Sequence, residues 1–158
     1  MSNDIAHAKE AAVADPLEVR GAIFALQDAM TGMPQVECPL LHHFAPGMYA
    51  RTIFVPAGTC VVTHIHRHTH ITVVSMGRAK VVTESGEQIV EAPFTMVTPA
   101  GTKRAVFTIT DTMWTTIHLN PTDTQDLEAI EADLIAPSYD ALGLEDKPVS
   151  ALTSEVKQ

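Results

Sequence analysis

The stretch "THIHRHTHITVVSMG", residues 63–77, decides how this chain is read, because histidines occupy every second position from His64 to His70. On one uninterrupted strand, His64, His66, His68 and His70 would all project from the same face. Four imidazoles in a row make a poor core. The stretch is therefore a solvated edge, an exposed histidine-rich loop, or part of a metal cage.

Its surroundings are rich in β pattern. Strands are predicted near 48–55, 59–66, 70–76, 79–84, 88–91, 94–98, 103–109 and 113–119, with turn residues at Pro56–Gly58, Gly77, Ser85–Gly86, Pro93 and Pro99–Gly101. So many short strands predict an all-β, antiparallel, double-sheet barrel rather than alternating βα units. A helix precedes it at about 16–32, with Asp15 as N-cap, Pro16 at N1 and Glu18 in capping-box position. A second helix follows at about 123–135, with Thr122 as expected N-cap and Leu127, Ile130 and Leu134 on one face. The barrel spans about 44–119 within one domain, 15–136. Residues 1–14 read as a flexible N-terminus and 137–158 as a loosely packed acidic tail.

Composition narrows the function classes. The chain has 158 residues and a net charge of −9. Residues 1–122 hold 10 acidic and 8 basic residues, whereas 123–158 hold 9 and 2. Without a basic face to neutralise phosphates, no nucleic-acid partner is expected. The polar start and the lack of a long apolar run predict no membrane span and a cytoplasmic location. Cys38 and Cys60 are expected as free thiols.

Around the histidines the spacing is specific: Gly58, five residues, His64-x-His66, three residues, His70, six residues, Gly77. This resembles the first motif of the cupins, in which a glycine, an HxH pair, a carboxylate and a second glycine follow one another; here His70 stands at the carboxylate position. The resemblance implies a jelly-roll barrel in which His64 and His66 end one strand and His70 begins the next, with His68 at the bend. The second cupin motif keeps its turn, Pro99-Ala-Gly101, but Arg104 replaces its histidine. His118, in "MWTTIHLN", is the candidate substitute. The ligand set is then His64, His66, His70 and His118, or the three without His64. The wider text also resembles small stand-alone cupins associated with phage genomes.

Imidazoles suit transition metals better than Mg or Ca, so the resemblance implies a divalent Fe, Zn, Mn or Ni ion. An all-histidine site adds no ligand charge and attracts anions. Arg104, at the expected barrel rim, and Tyr49 and Arg51, alternating on the first predicted strand, are the candidate substrate-binding residues. Trp114 reads as a core anchor, and Glu84 and Glu91 as solvated hairpin residues.

Three functions follow from the resemblance. The first is a metal-dependent enzyme acting on a small, anionic molecule, as a dioxygenase, isomerase or lyase; cupin-type thiol dioxygenases carry three-histidine iron sites. The alternative is a non-catalytic metal- or ligand-binding cupin, a sensor, store or structural module, and the third an assembly module. A homodimer fits all three.

Overall fold

The computed structural model describes residues 13–154. Helix α1 (Pro16–Thr31) begins as its sequence predicts: the Asp15 carboxylate accepts from the Leu17 N–H, Pro16 needs no partner, and Gly32 ends it. Its inner face carries Arg20 and Ile23.

Eleven strands follow among the described residues: β1 (Leu40–Ala45), β2 (Met48–Val55), β3 (Cys60–Val62), β4 (Ile65–His66), β5 (His70–Met76), β6 (Arg78–Thr83), β7 (Gly86–Glu91), β8 (Phe94–Thr98), β9 (Ala105–Thr108), β10 (Thr112–Leu119) and, after the barrel, β11 (Ile135–Ala136). They form a five-stranded sheet in the order β1-β2-β10-β5-β8 and a four-stranded sheet in the order β3-β9-β6-β7, with β11 pairing β4 separately. Every pairing is antiparallel. This is the expected double-sheet jelly roll. Between the sheets lies a core of Val74, Ala79, Val81, Val90, Val106 and Trp114. Trp114 is buried in this core and also lines a cavity between the sheets.

Gly77 makes the β5–β6 turn at φ +92°, and a Cβ there would lie 2.1 Å from the Asp111 carbonyl oxygen. Both the conformation and the space demand glycine.

Several elements depart from the sequence reading. Strand β1 had no place in it, because Leu40–Ala45 lies on the sheet edge with little buried alternation. The strand expected over 59–66 breaks at residues 63 and 64, where Thr63 donates its N–H to the Arg104 carbonyl and accepts the Arg104 N–H on its hydroxyl. Helix α2 (Leu127–Leu134) starts later than expected. Asp126, not Thr122, caps it, accepting from the Glu128 and Ala129 N–H groups. Residues 121–125 instead form a turn in which Asp123 accepts from the Gly47 N–H at 2.6 Å.

The largest departure is the segment after β11. Tyr139, Leu144 and Val149 are buried in a cluster with Ile65 and Ala136, so residues 137–152 pack on the barrel. They carry a 3-10 turn (Asp140–Leu142) and a short helix α3 (Ser150–Ser154). The fastening is Arg20 with Glu84, which was expected to be solvated. Arg20 donates to Glu84 Oε2 at 2.7 and 3.0 Å and to the carbonyls of Leu144 and Lys147 at 2.7 and 2.8 Å. Glu84 Oε1 accepts the Val149 N–H, and the guanidinium lies 3.7 Å from the Tyr139 ring centroid. Scattered apolar residues without a period hid this packing from the sequence. The expected flexible N-terminus lies almost wholly outside the described residues. Cys38 and Cys60 are free and half-buried. No helix of the described chain is long and apolar enough to cross a membrane.

Candidate metal centre

His66 ends β4 and His70 opens β5, with residues 67–69 bending between them. Two backbone groups hold His66. Its carbonyl accepts the Gly101 N–H at 2.8 Å, and its strand pairs with Ile135–Ala136 just beyond α2. The Pro99–Gly101 turn thus holds the strand that carries His66, although it adds no member to the histidine group. His70 pairs with Thr98 across β5–β8.

The third histidine arrives by register. In β10, His118 pairs with Tyr49 of β2, and Ile117 pairs with Ile71 of β5, which places His118 one step on, beside His70. Which face of β10 turns inward is settled by its partners: Tyr49 is 4% exposed under α2, whereas Leu119 is 79% exposed. His118 therefore faces the barrel.

One ligand-capable nitrogen from each of His66, His70 and His118 lies within 4.8 Å of the other two. Ring centroids are separated by 4.5 Å (His66–His70), 4.6 Å (His70–His118) and 5.4 Å (His66–His118). His64, at the break between β3 and β4, is exposed and outside this group, although it lines the adjoining cavities. His68 sits at the tip of the bend, exposed, 3.9 Å from Asp133.

Burial favours the neutral form of all three rings. His70 Nδ1 lies 3.1 Å from the His68 carbonyl, which can only accept, so Nδ1 carries the proton and Nε2 keeps its lone pair. Desolvation, then the neighbouring His70, His118, Arg104 and His64, push His66 down to about 3. Desolvation, followed by His70, Arg51 and His68, pushes His118 down to about 4. His70 is lowered chiefly by burial, against the His68 hydrogen bond, which raises it. All three are neutral near pH 7, the form that binds metals. No carboxylate joins the group among the described residues.

A mouth cavity of about 250 Å3 opens beside the triad, with Tyr49, Arg51, Thr116 and Glu131 in its wall and α2 above it. Tyr49 and Arg51 thus line the mouth, as their alternation on β2 suggested. His42 of β1 also lines it: its Nδ1 lies 2.8 Å from the Tyr49 hydroxyl, and the two rings stack. Recognising β1 as a strand was the signal needed to find His42. Thr116 was legible by its alternation with His118, whereas Glu131 enters only because α2 folds over the mouth.

Arg104 is placed differently from the expectation. It is 5% exposed, donates to the Thr98 hydroxyl at 2.5 Å and lies 5.3 Å from the Trp114 ring centroid. It is interior, not at the rim, because the chain turns inward after Gly101 to join β9. Burial lowers it to about 10, still a cation at neutral pH. Its charge adds to the positive potential at His66 and His70.

No protein-family model and no curated protein matches the chain. Solved structures resemble it. Ectoine synthase from P. lautus aligns with a TM-score of 0.51 at 11% identity, over 67% of this chain and 79% of that one. A cupin superfamily protein from Desulfitobacterium hafniense DCB-2 gives 0.44 at 12% identity, over 55% and 83% of the two chains. For an acetylacetone dioxygenase from Acinetobacter johnsonii the values are 0.42, 17%, 55% and 65%. At 11% identity the likeness to ectoine synthase shows the fold alone, the antiparallel double-sheet barrel described above.

Proposed function

We propose that this cupin-fold protein holds a divalent transition metal on His66, His70 and His118 and is a metal-dependent enzyme acting on a small anion in the barrel. The observation that carries the reading is the convergence of three neutral imidazoles from β4, β5 and β10, two of which, His66 and His118, line an open cavity. Such a donor set suits Fe, Zn, Mn or Ni, and the absence of a ligand carboxylate leaves the metal its full charge. A bound ion would supply Lewis acidity or, as iron, dioxygen chemistry. The chain's own residues do the rest: Arg51 orients an anion, Tyr49 and Thr116 offer hydroxyls beside it, and α2 shields the mouth. The reaction is of the dioxygenase, isomerase or lyase class.

The test is metal content by mass spectrometry on protein purified without a metal-binding tag and reconstituted with each of the four ions. One equivalent is expected in the wild type and in His64→Ala. Less than a tenth is expected in His66→Ala, His70→Ala and His118→Ala, with far-UV circular dichroism unchanged. No metal in the wild type, or full retention in His118→Ala, overturns the assignment. Metal without turnover of any small acid assigns the protein to the alternative, a non-catalytic metal binder, which the missing motif-two histidine favours.

We also propose a homodimer. The outer face of the five-stranded sheet carries a row in register without acidic residue, lysine or arginine, Val97, Ile71, Ile117, Ala50 and His43, flanked by Met48 and Leu119. Such a face complements a second copy of itself about a twofold axis. Light scattering should give twice the chain mass, and Ile71→Lys should give a folded monomer; a wild-type monomer removes the proposal.

A further inference from the structure

The mouth cavity continues inward. Arg51, His64, His66 and Thr116 line both it and a second cavity of about 260 Å3 between the two sheets, so the two spaces meet beside the triad. Beyond that junction the wall turns apolar, with Ile53, Val55, Val61, Val62, Val106 and Trp114. The threonines there add little polarity. Thr108 donates its hydroxyl to the Pro56 carbonyl at 2.6 Å, and Thr112 donates to the Thr110 carbonyl at 2.9 Å.

Arg51 stands at the junction, and its donors are unused. The other cations that are not exposed all have partners: Arg20 has Glu84 and two carbonyls, Arg67 the Ile135 carbonyl, Lys80 Glu87, Lys103 the Thr63 carbonyl, and Arg104 Thr98. Among the described residues that are not exposed, Arg51 is the one cation with neither an ion pair nor a side-chain hydrogen bond. A half-buried guanidinium without a partner is suited to a ligand anion, and its planar fork matches a carboxylate in two-pronged fashion.

We infer that the ligand is a small monocarboxylate with an apolar tail, its carboxylate on Arg51 beside the triad and its tail in the inner chamber. The inference rests on the reading of the site given above and adds the substrate class to it. A single free guanidinium, with Glu131 across the mouth, disfavours dianions. A polar tail would lose its water among the valines without finding new partners. At about 30 Å3 per water-sized group, the chamber takes roughly nine non-hydrogen atoms.

The test is calorimetric titration of the full chain, metal-free and zinc-loaded, with acetate, butanoate, hexanoate, decanoate, hexan-1-ol and adipate. Affinity should rise about fourfold per methylene, hence roughly 250-fold from acetate to hexanoate, and level off by decanoate. Hexan-1-ol and adipate should bind at least tenfold more weakly than hexanoate. Arg51→Gln should bring hexanoate down to the level of hexan-1-ol. Val61→Phe, at a half-buried position in the chamber wall, should move the optimum to a shorter chain. A flat series, a preference for adipate, or undiminished hexanoate binding by Arg51→Gln overturns the inference. If zinc binds and the series is flat, the metal reading stands and this one falls. If zinc does not bind but the series appears on metal-free protein, the reverse holds.

Discussion

Truncating Glu84 to alanine tests whether the chain after β11 belongs to the domain. Arg20 and Glu84 are 6% and 8% exposed. Alanine leaves the guanidinium with the Leu144 and Lys147 carbonyls but no counter-charge, and it removes the acceptor of the Val149 N–H. Breaking one side of a buried pair costs about 3–5 kcal/mol. At about 2–4 °C per kcal/mol for a domain of this size, melting should fall by roughly 6–20 °C. Glu84→Gln keeps an acceptor for Val149 and should cost less. The double variant Arg20→Met/Glu84→Met should be more stable than Glu84→Ala, because no buried charge is stranded. Melting followed by circular dichroism measures each difference, and limited proteolysis should show cleavage within 137–152 appearing first in Glu84→Ala. Because Tyr139, Leu144 and Val149 bury Ile65, the neighbour of His66, loosening them should also weaken metal binding. A Glu84→Ala protein that melts within 2 °C of the wild type refutes the reasoning.

Gly77→Ala should destabilise by about 2–4 kcal/mol, since it combines positive φ with a clash against the Asp111 carbonyl. Gly58→Ala, at φ +72° but with open space around its Cβ, should cost only about 1 kcal/mol; equal losses in denaturant titrations would remove the role assigned to the clash. The metal-free protein should lose stability on acidification. His66 and His118 titrate near 3 and 4 in the fold against an ordinary 6.5, so the unfolded chain takes up protons that the folded chain refuses. Stability is complete above about pH 6.5 and declines as pH falls towards 4. Melting temperatures between pH 7 and 4 should show this, with a shallower slope in His66→Gln; a rise on acidification contradicts it.

Local pattern carried much of this protein. The glycine-bounded spacing of His66 and His70, the strand alternation and the Asp15–Pro16 start of α1 are local features, and local sterics and capping suffice to read them. Alternation also marked Tyr49 and Arg51 as sharing a face. What alternation cannot say is which face turns inward, because a period of two is the same viewed from either side. His118 became a member of the triad only through its pairing with Tyr49 and the burial of Tyr49 beneath α2. Arg104, immediately before β9 and read as a rim residue, was drawn into the interior by the path of the chain after Gly101. Glu84 lies 64 residues from Arg20, and no periodicity reports a partner at that distance. The chemistry available at the site was therefore legible from which residues were present. Their assembly into one centre, with an unpartnered arginine at the entrance to an apolar chamber, was decided by long-range strand register, which only the closed barrel sets.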